Sequence, residues 1–83
     1  MAIRIHPHAR DRMKERGSLD TEVVAAVAQG EQFPVQFGRT GFRRNFPFPH
    51  EWRGQRYRMK QVEAYAIQED MDWHVITVVT RYF

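Results

Sequence analysis

The chain has 83 residues, no cysteine and a formal net charge of +3. That length allows one domain with one modest core, and the absence of cysteine excludes disulfides and thiolate metal sites. The N-terminus lacks the apolar run of a secretory signal and no stretch approaches the roughly 20 apolar residues of a membrane span, so a soluble cytoplasmic protein is expected.

The charge is unevenly spread. Between Arg39 and Lys60 there are seven basic residues against Glu51 alone, and arginine outnumbers lysine eleven to two over the whole chain. Such a segment projects a field that an anionic partner can feel.

In chain order, Ile3 to Ile5 are too few to assign. Pro7 suits the first position of a helix, where its missing N–H loses no bond. The first helix is therefore expected from Pro7 to about Arg16, with His6 as its cap and Gly17 as its stop. Ala9 and Met13 mark its buried stripe; His8, Arg12 and Arg16 follow in steps of four along the edge of that stripe. A second helix is expected from Thr21 to about Gln29. Ser18 and Asp20 are its capping candidates, Leu19, Val23, Val24 and Val27 its apolar face, and Gly30 its stop.

From Glu31 the signals change to strands. Phe33 to Phe37 and Phe42 to Phe46 are expected to pair through a turn at Gly38-Arg39-Thr40-Gly41. Pro47-Phe48-Pro49 interrupts the pattern, because proline cannot donate to a ladder. A turn at Trp52-Arg53-Gly54-Gln55 leads into a long, bulged strand from Tyr57 to Gln68, and Glu69 to Asp72 form a hairpin into the last strand, Trp73 to Phe83. Apolar on nearly both faces, this last strand is expected to be central. Strict alternation puts His74, Ile76, Val78, Thr80 and Tyr82 on one side and Trp73, Val75, Thr77, Val79, Arg81 and Phe83 on the other. The expected fold is α+β, with two N-terminal helices on one face of a roughly four-stranded antiparallel sheet in a single domain.

Several side chains carry chemistry. His8 exchanges protons near neutral pH, and Arg12, one turn on, can hold a phosphate beside it. A bland role competes at each site: a histidine at a helix start, and arginines packing their stems on the core while pairing with Glu15, Glu63 or Glu69. Arg81 and Tyr82, at the end of the last strand, can supply a cation and a proton donor. In the middle segment, Arg39, Arg43, Arg44, Arg53, Arg56 and Arg58 interleave with aromatic rings, the composition of single-strand RNA recognition. The same rings would equally serve a small core. His6-x-His8 lacks a nearby acidic cluster, so no metal site and no cofactor are expected.

The run His8-Ala9-x-x-Arg12-Met13-x-x-Arg16-Gly17, with a second helix ending at Gly30-Glu31 and the closing strand Val75 to Thr80, resembles the bacterial domain-of-unknown-function family 4258. The resemblance covers almost the whole chain. Such domains are similar to small toxins of the RelE and BrnT kind, which implies helices followed by an antiparallel sheet, metal-independent RNA cleavage and control by a cognate antitoxin. His8, Arg12 and Arg16 are the positions the family pattern transfers. On this basis the expected function is an endoribonuclease toxin with His8 as base, Arg12 and Arg81, joined by Arg43 or Arg44, balancing charge, and Tyr82 protonating the leaving oxygen. A non-catalytic nucleic-acid-binding module and a protein-interaction module remain the alternatives.

Overall fold

The computed structural model describes residues 2–83. Its elements run β1 (Ile3–Ile5), α1 (Pro7–Arg16), α2 (Asp20–Gln29), β2 (Glu31–Val35), β3 (Arg39–Pro47), β4 (Glu51–Trp52), β5 (Gln55–Arg56), β6 (Met59–Glu69) and β7 (Asp72–Tyr82). Five strands form one sheet in the order β1-β7-β6-β3-β2, and β4 and β5 form a separate two-stranded hairpin. The α+β class and the two N-terminal helices are as expected, but the sheet has five strands and is mixed. Ile3–Ile5 pairs in parallel with β7. Three residues carry no readable period, and only the neighbouring β7 makes them a strand. With β1 on one side and β6 on the other, β7 is internal.

Helix α1 begins as its sequence dictates. His6 Nδ1 accepts the His8 backbone N–H at 3.1 Å, so the imidazole caps the first turn ahead of Pro7. Gly17 ends the helix at φ 80, in the left-handed region where a side chain would be strained. The cap of α2 differs from expectation. Leu19 occupies the capping position, and its N–H is satisfied by the Glu22 carboxylate at 2.9 Å. Ser18 is instead buried against Thr80, hydroxyl to hydroxyl. Val23, Ala26 and Val27 are the buried face of α2, whereas Leu19 and Val24 are exposed.

The core lies between the helices and one face of the sheet. Ala9, Met13, Val23 and Val27 meet Phe42, Val62, Ala64, Ala66, Val75 and Val78, with Ile3, Ile5, Phe46 and Trp73 at the margin. Ala64 and Ala66 are small because the helices approach there, which leaves the larger side chains of β6 for the opposite face.

Two register details set that opposite face. The β2–β3 turn falls at residues 36–38, earlier than expected, and Gly41 lies inside β3 opposite Phe33. A Cβ on Gly41 would run into the Phe33 ring, so this glycine makes room for an aromatic rather than a turn. The second detail is a bulge. Tyr65 pairs with Thr77 and Ala66 with Val75, which makes Ile76 an extra residue in β7. Strict alternation therefore fails: Trp73 and Val75 join Val78, Thr80 and Tyr82 on the helix side, while Thr77, Val79 and Arg81 stay on the helix-free side. The irregularity expected in the preceding strand is thus housed in β7.

Among the described residues, no helix is long and apolar enough to cross a membrane.

Candidate nucleic-acid interface on the open sheet face

The helix-free face carries Glu31 and Phe33 from β2, Arg39 and Arg43 from β3, Gln61, Glu63, Tyr65 and Ile67 from β6, and Thr77 and Arg81 from β7, as their cross-strand pairing requires. At one end of this face lies a groove of about 460 Å³ lined by His6, His8, Arg39, Ile67, Ile76 and Thr77. Both histidines reach it because β1 is the edge strand. The chain turns from Ile5 directly into α1, and the His6 N–H is fixed to the Val75 carbonyl at 2.9 Å. The first turn of the helix is thereby held against the bulge. Capping makes His6 Nδ1 a hydrogen-bond acceptor, so the ring proton of neutral His6 resides on Nε2. Arg39 enters from the start of β3, and its guanidinium makes no ion pair among the described residues.

Farther along the face, Glu63 is the hub of a polar cluster. It is only 3 % exposed. Its carboxylate accepts from Arg81 at 2.7 Å, from Arg43 Nε at 2.9 Å and from the Tyr65 hydroxyl at 2.9 Å. Burial by itself would raise the Glu63 carboxyl, but the bonds from Arg43 and Tyr65 and the charge of Arg81 outweigh it and hold the carboxyl below its ordinary value. The same surroundings, burial first and the Glu63 bond next, push the Tyr65 phenol up. Arg43 also lies 4.5 Å over the Phe33 ring and 3.6 Å from Glu31, and Phe33 meets Tyr65 edge to face. Sequence reasoning weighed Glu63 only as a partner for helix arginines and passed over Tyr65. The available signal was alternation in Val62-Glu63-Ala64-Tyr65-Ala66, a strand with small apolar residues on one side and polar ones on the other.

The expected catalytic set is not brought together. Arg12 is half-buried on α1, pairs with Glu15 at 3.4 Å and does not line the groove. Tyr82 lies on the helix side of the sheet, opposite to Arg81, and donates its hydroxyl to the Arg16 carbonyl at 2.6 Å. Its ring stacks on Trp52 at 5.2 Å and closes over Gly17. Burial, followed by the charge of Glu22, raises the Tyr82 phenol, so the group holds its proton in a structural bond. Of the four residues, His8 and Arg81 share the open face, and they are separated along it. Four residue steps of strand separate Thr77 in the groove from Arg81, about 13 Å at the usual rise.

The basic middle segment is also divided. Arg39 and Arg43 are on the open face. Arg44 points to the helix side, where it bonds Gln29 and lies 5.7 Å from the Phe46 ring. Arg53 folds back with the β4–β5 hairpin, donates to the Glu15 carbonyl and lies over Trp52. That bond satisfies a free carbonyl at the C-terminal end of α1. Arg56 and Arg58 are exposed on and just after that hairpin. A run that is contiguous in sequence thus serves three surfaces.

No protein family, no characterised protein and no solved structure matches this chain. Among the described residues, no group of three or more His, Cys, Asp or Glu side chains is placed to hold a metal ion.

Proposed function

We propose that the chain is a metal-independent endoribonuclease of the RelE/BrnT-like toxin kind, acting on single-stranded RNA at its open sheet face. The observation that carries this reading is the convergence of His6, His8 and Arg39 on one groove. His8 takes the proton from a ribose 2′-hydroxyl, and the resulting oxyanion attacks the adjacent phosphorus. The bond to the 5′-oxygen breaks and that oxygen takes a proton from solvent water, to which His8 afterwards returns the proton it took. His6, whose Nδ1 is committed to the His8 N–H, keeps its Nε2 proton and donates it as a hydrogen bond to a non-bridging phosphate oxygen. The products are a 2′,3′-cyclic phosphate and a free 5′-hydroxyl. Arg39 balances the charge that develops on the non-bridging oxygens. This assignment keeps His8 of the expected set and puts Arg39 and His6 in place of Arg12, Arg81 and Tyr82. A cytoplasmic setting and an acidic antitoxin that covers the open face belong to the same reading.

The test is incubation with RNA in the presence of chelator, followed by analysis for 2′,3′-cyclic ends. Loss of a general base costs on the order of 10²–10⁴ in rate, so His8→Ala is expected to fall by at least about a hundredfold. Tyr82→Phe, on the other face, is expected to retain the parent rate per folded molecule. Undiminished cleavage by His8→Ala overturns the catalytic reading. Salt-sensitive RNA binding without cleavage would favour a binding module instead.

A further inference from the structure

We infer that Glu63 is a positioning residue that holds Arg43 and Arg81 as a two-pronged site for an RNA phosphodiester, distinct from the histidine groove. The inference rests on the RNA reading for its ligand and on the cluster geometry for its site.

A buried carboxylate on an otherwise solvent-facing side of a sheet requires a reason. Glu63 receives three bonds, from two arginines and a tyrosine, and so has little capacity left to accept a substrate proton. It is not placed to act as a base. What it does is fix two guanidinium groups that would otherwise sample many rotamers. Arginine has five N–H donors in a planar fork. Arg81 uses one nitrogen on Glu63 and its side chain is 56 % exposed, so the rest of its fork faces solvent. Arg43 engages Glu63 through Nε and is pinned from below by Phe33, leaving a terminal nitrogen free for a ligand. The two forks share one carboxylate oxygen as their pivot. A phosphodiester has two non-bridging oxygens to accept from such a pair.

The site's place on the sheet gives it a role. Glu63, Tyr65 and Ile67 follow one another along the open side of β6, from the arginine pair to the groove, over about 13 Å. A single strand laid along β6 would put one phosphate between Arg43 and Arg81 and another at Arg39. The Tyr65 ring, edge-on to Phe33, lies between them as a surface for a base. The arginine pair therefore sets which phosphate of a bound strand reaches the histidines.

The decisive experiment follows the Arg43 and Arg81 side-chain N–H signals by NMR. The full chain is titrated separately with inorganic phosphate and with a 2′-O-methyl oligouridylate that cannot be cleaved. Both ligands are expected to shift both arginines. Arg81→Gln is expected to weaken oligonucleotide binding about tenfold and to reduce the salt slope by about one. Glu63→Gln separates positioning from charge. It makes the face more positive, so charge alone predicts tighter binding, whereas positioning predicts weaker binding. Shifts from phosphate but not from RNA uphold the anion site and sink the RNA reading. RNA binding that leaves both arginines unshifted, or is unchanged in Arg81→Gln, overturns the site and leaves the RNA reading standing. If neither ligand binds, both fall. Tighter binding by folded Glu63→Gln refutes the positioning role, and if that variant does not fold, exposed Arg81→Gln decides alone.

Discussion

Gly17→Ala is expected to be among the most damaging single-methyl changes in this fold. Two effects add. At φ 80 the left-handed conformation costs an alanine about 1–2 kcal/mol. The new Cβ would also stand 2.6 and 2.7 Å from two carbons of the Trp52 ring and 2.8 Å from the Tyr82 hydroxyl, closer than real contacts allow. Trp52 sits on a two-residue strand and can give way, but only by loosening its stack on Tyr82, about 0.5–1.5 kcal/mol. Moving the Tyr82 hydroxyl weakens its bond to the Arg16 carbonyl, a further ~0.5–1.5 kcal/mol. The total is roughly 2–5 kcal/mol, a fall in Tm of about 8 °C or more. Gly54 provides the control. Its φ is 82, yet a Cβ there would meet nothing within 4 Å. Gly54→Ala should therefore show the backbone cost alone, about 1–2 kcal/mol. Urea unfolding of both variants measures the difference. Equal losses would refute the claim that close approach by Trp52 and Tyr82 is what excludes a side chain at Gly17.

Two other predictions concern buried charge. Lys60 is 2 % exposed and its ammonium lies 2.7 Å from Glu22 and bonded to the Gly17 carbonyl. Lys60→Met strands the Glu22 carboxylate and should cost about 3–5 kcal/mol, while adding Glu22→Gln should recover part of it, as read by chemical denaturation. The Glu63 carboxyl is held below its ordinary value of 4.5 in the folded chain. Its contribution is therefore fully present above that value and is lost as pH falls through the lower folded value. Stability measured from about pH 7 to about pH 3 should decline in this acid window, and folded Glu63→Gln should decline less. An identical acid profile in parent and variant would show that Glu63 is not linked to folding.

The open face draws its order from three ordinary features of the fold. Small alanines on β6 let the helices close over one side of the sheet, so the polar side chains of the same strand are left on the other. The β7 bulge brings Ile76 and Thr77 to the groove. The short β1 strand delivers His6 and His8 to the same place. A change at Ile76 that removes the extra residue would re-phase Trp73 to Val75 against the core.

Much was legible in the residues alone because it depends on neighbours a few positions apart. Pro7, the His6 cap, the Ala9–Met13 stripe and the Gly17 stop follow from helical periodicity and local hydrogen bonding. The α+β order and the internal position of the last strand follow from hydropathy. Local rules failed where a distant partner decides. Ile3–Ile5 is a strand because β7 offers it an edge, Gly41 is a strand residue because Phe33 covers it, and the faces of β7 reverse at a bulge that only its register with β6 reveals. The same holds for the candidate site. Histidines and arginines can be named from the sequence, but whether they meet depends on which side of the sheet each one leaves. Alternation passes that choice along a strand, and one extra residue inverts it. Alternation alone separates Tyr82 from Arg81; tertiary packing decided that Tyr82 takes the helix side, split the basic segment among three surfaces, and joined Arg39 to His6 and His8.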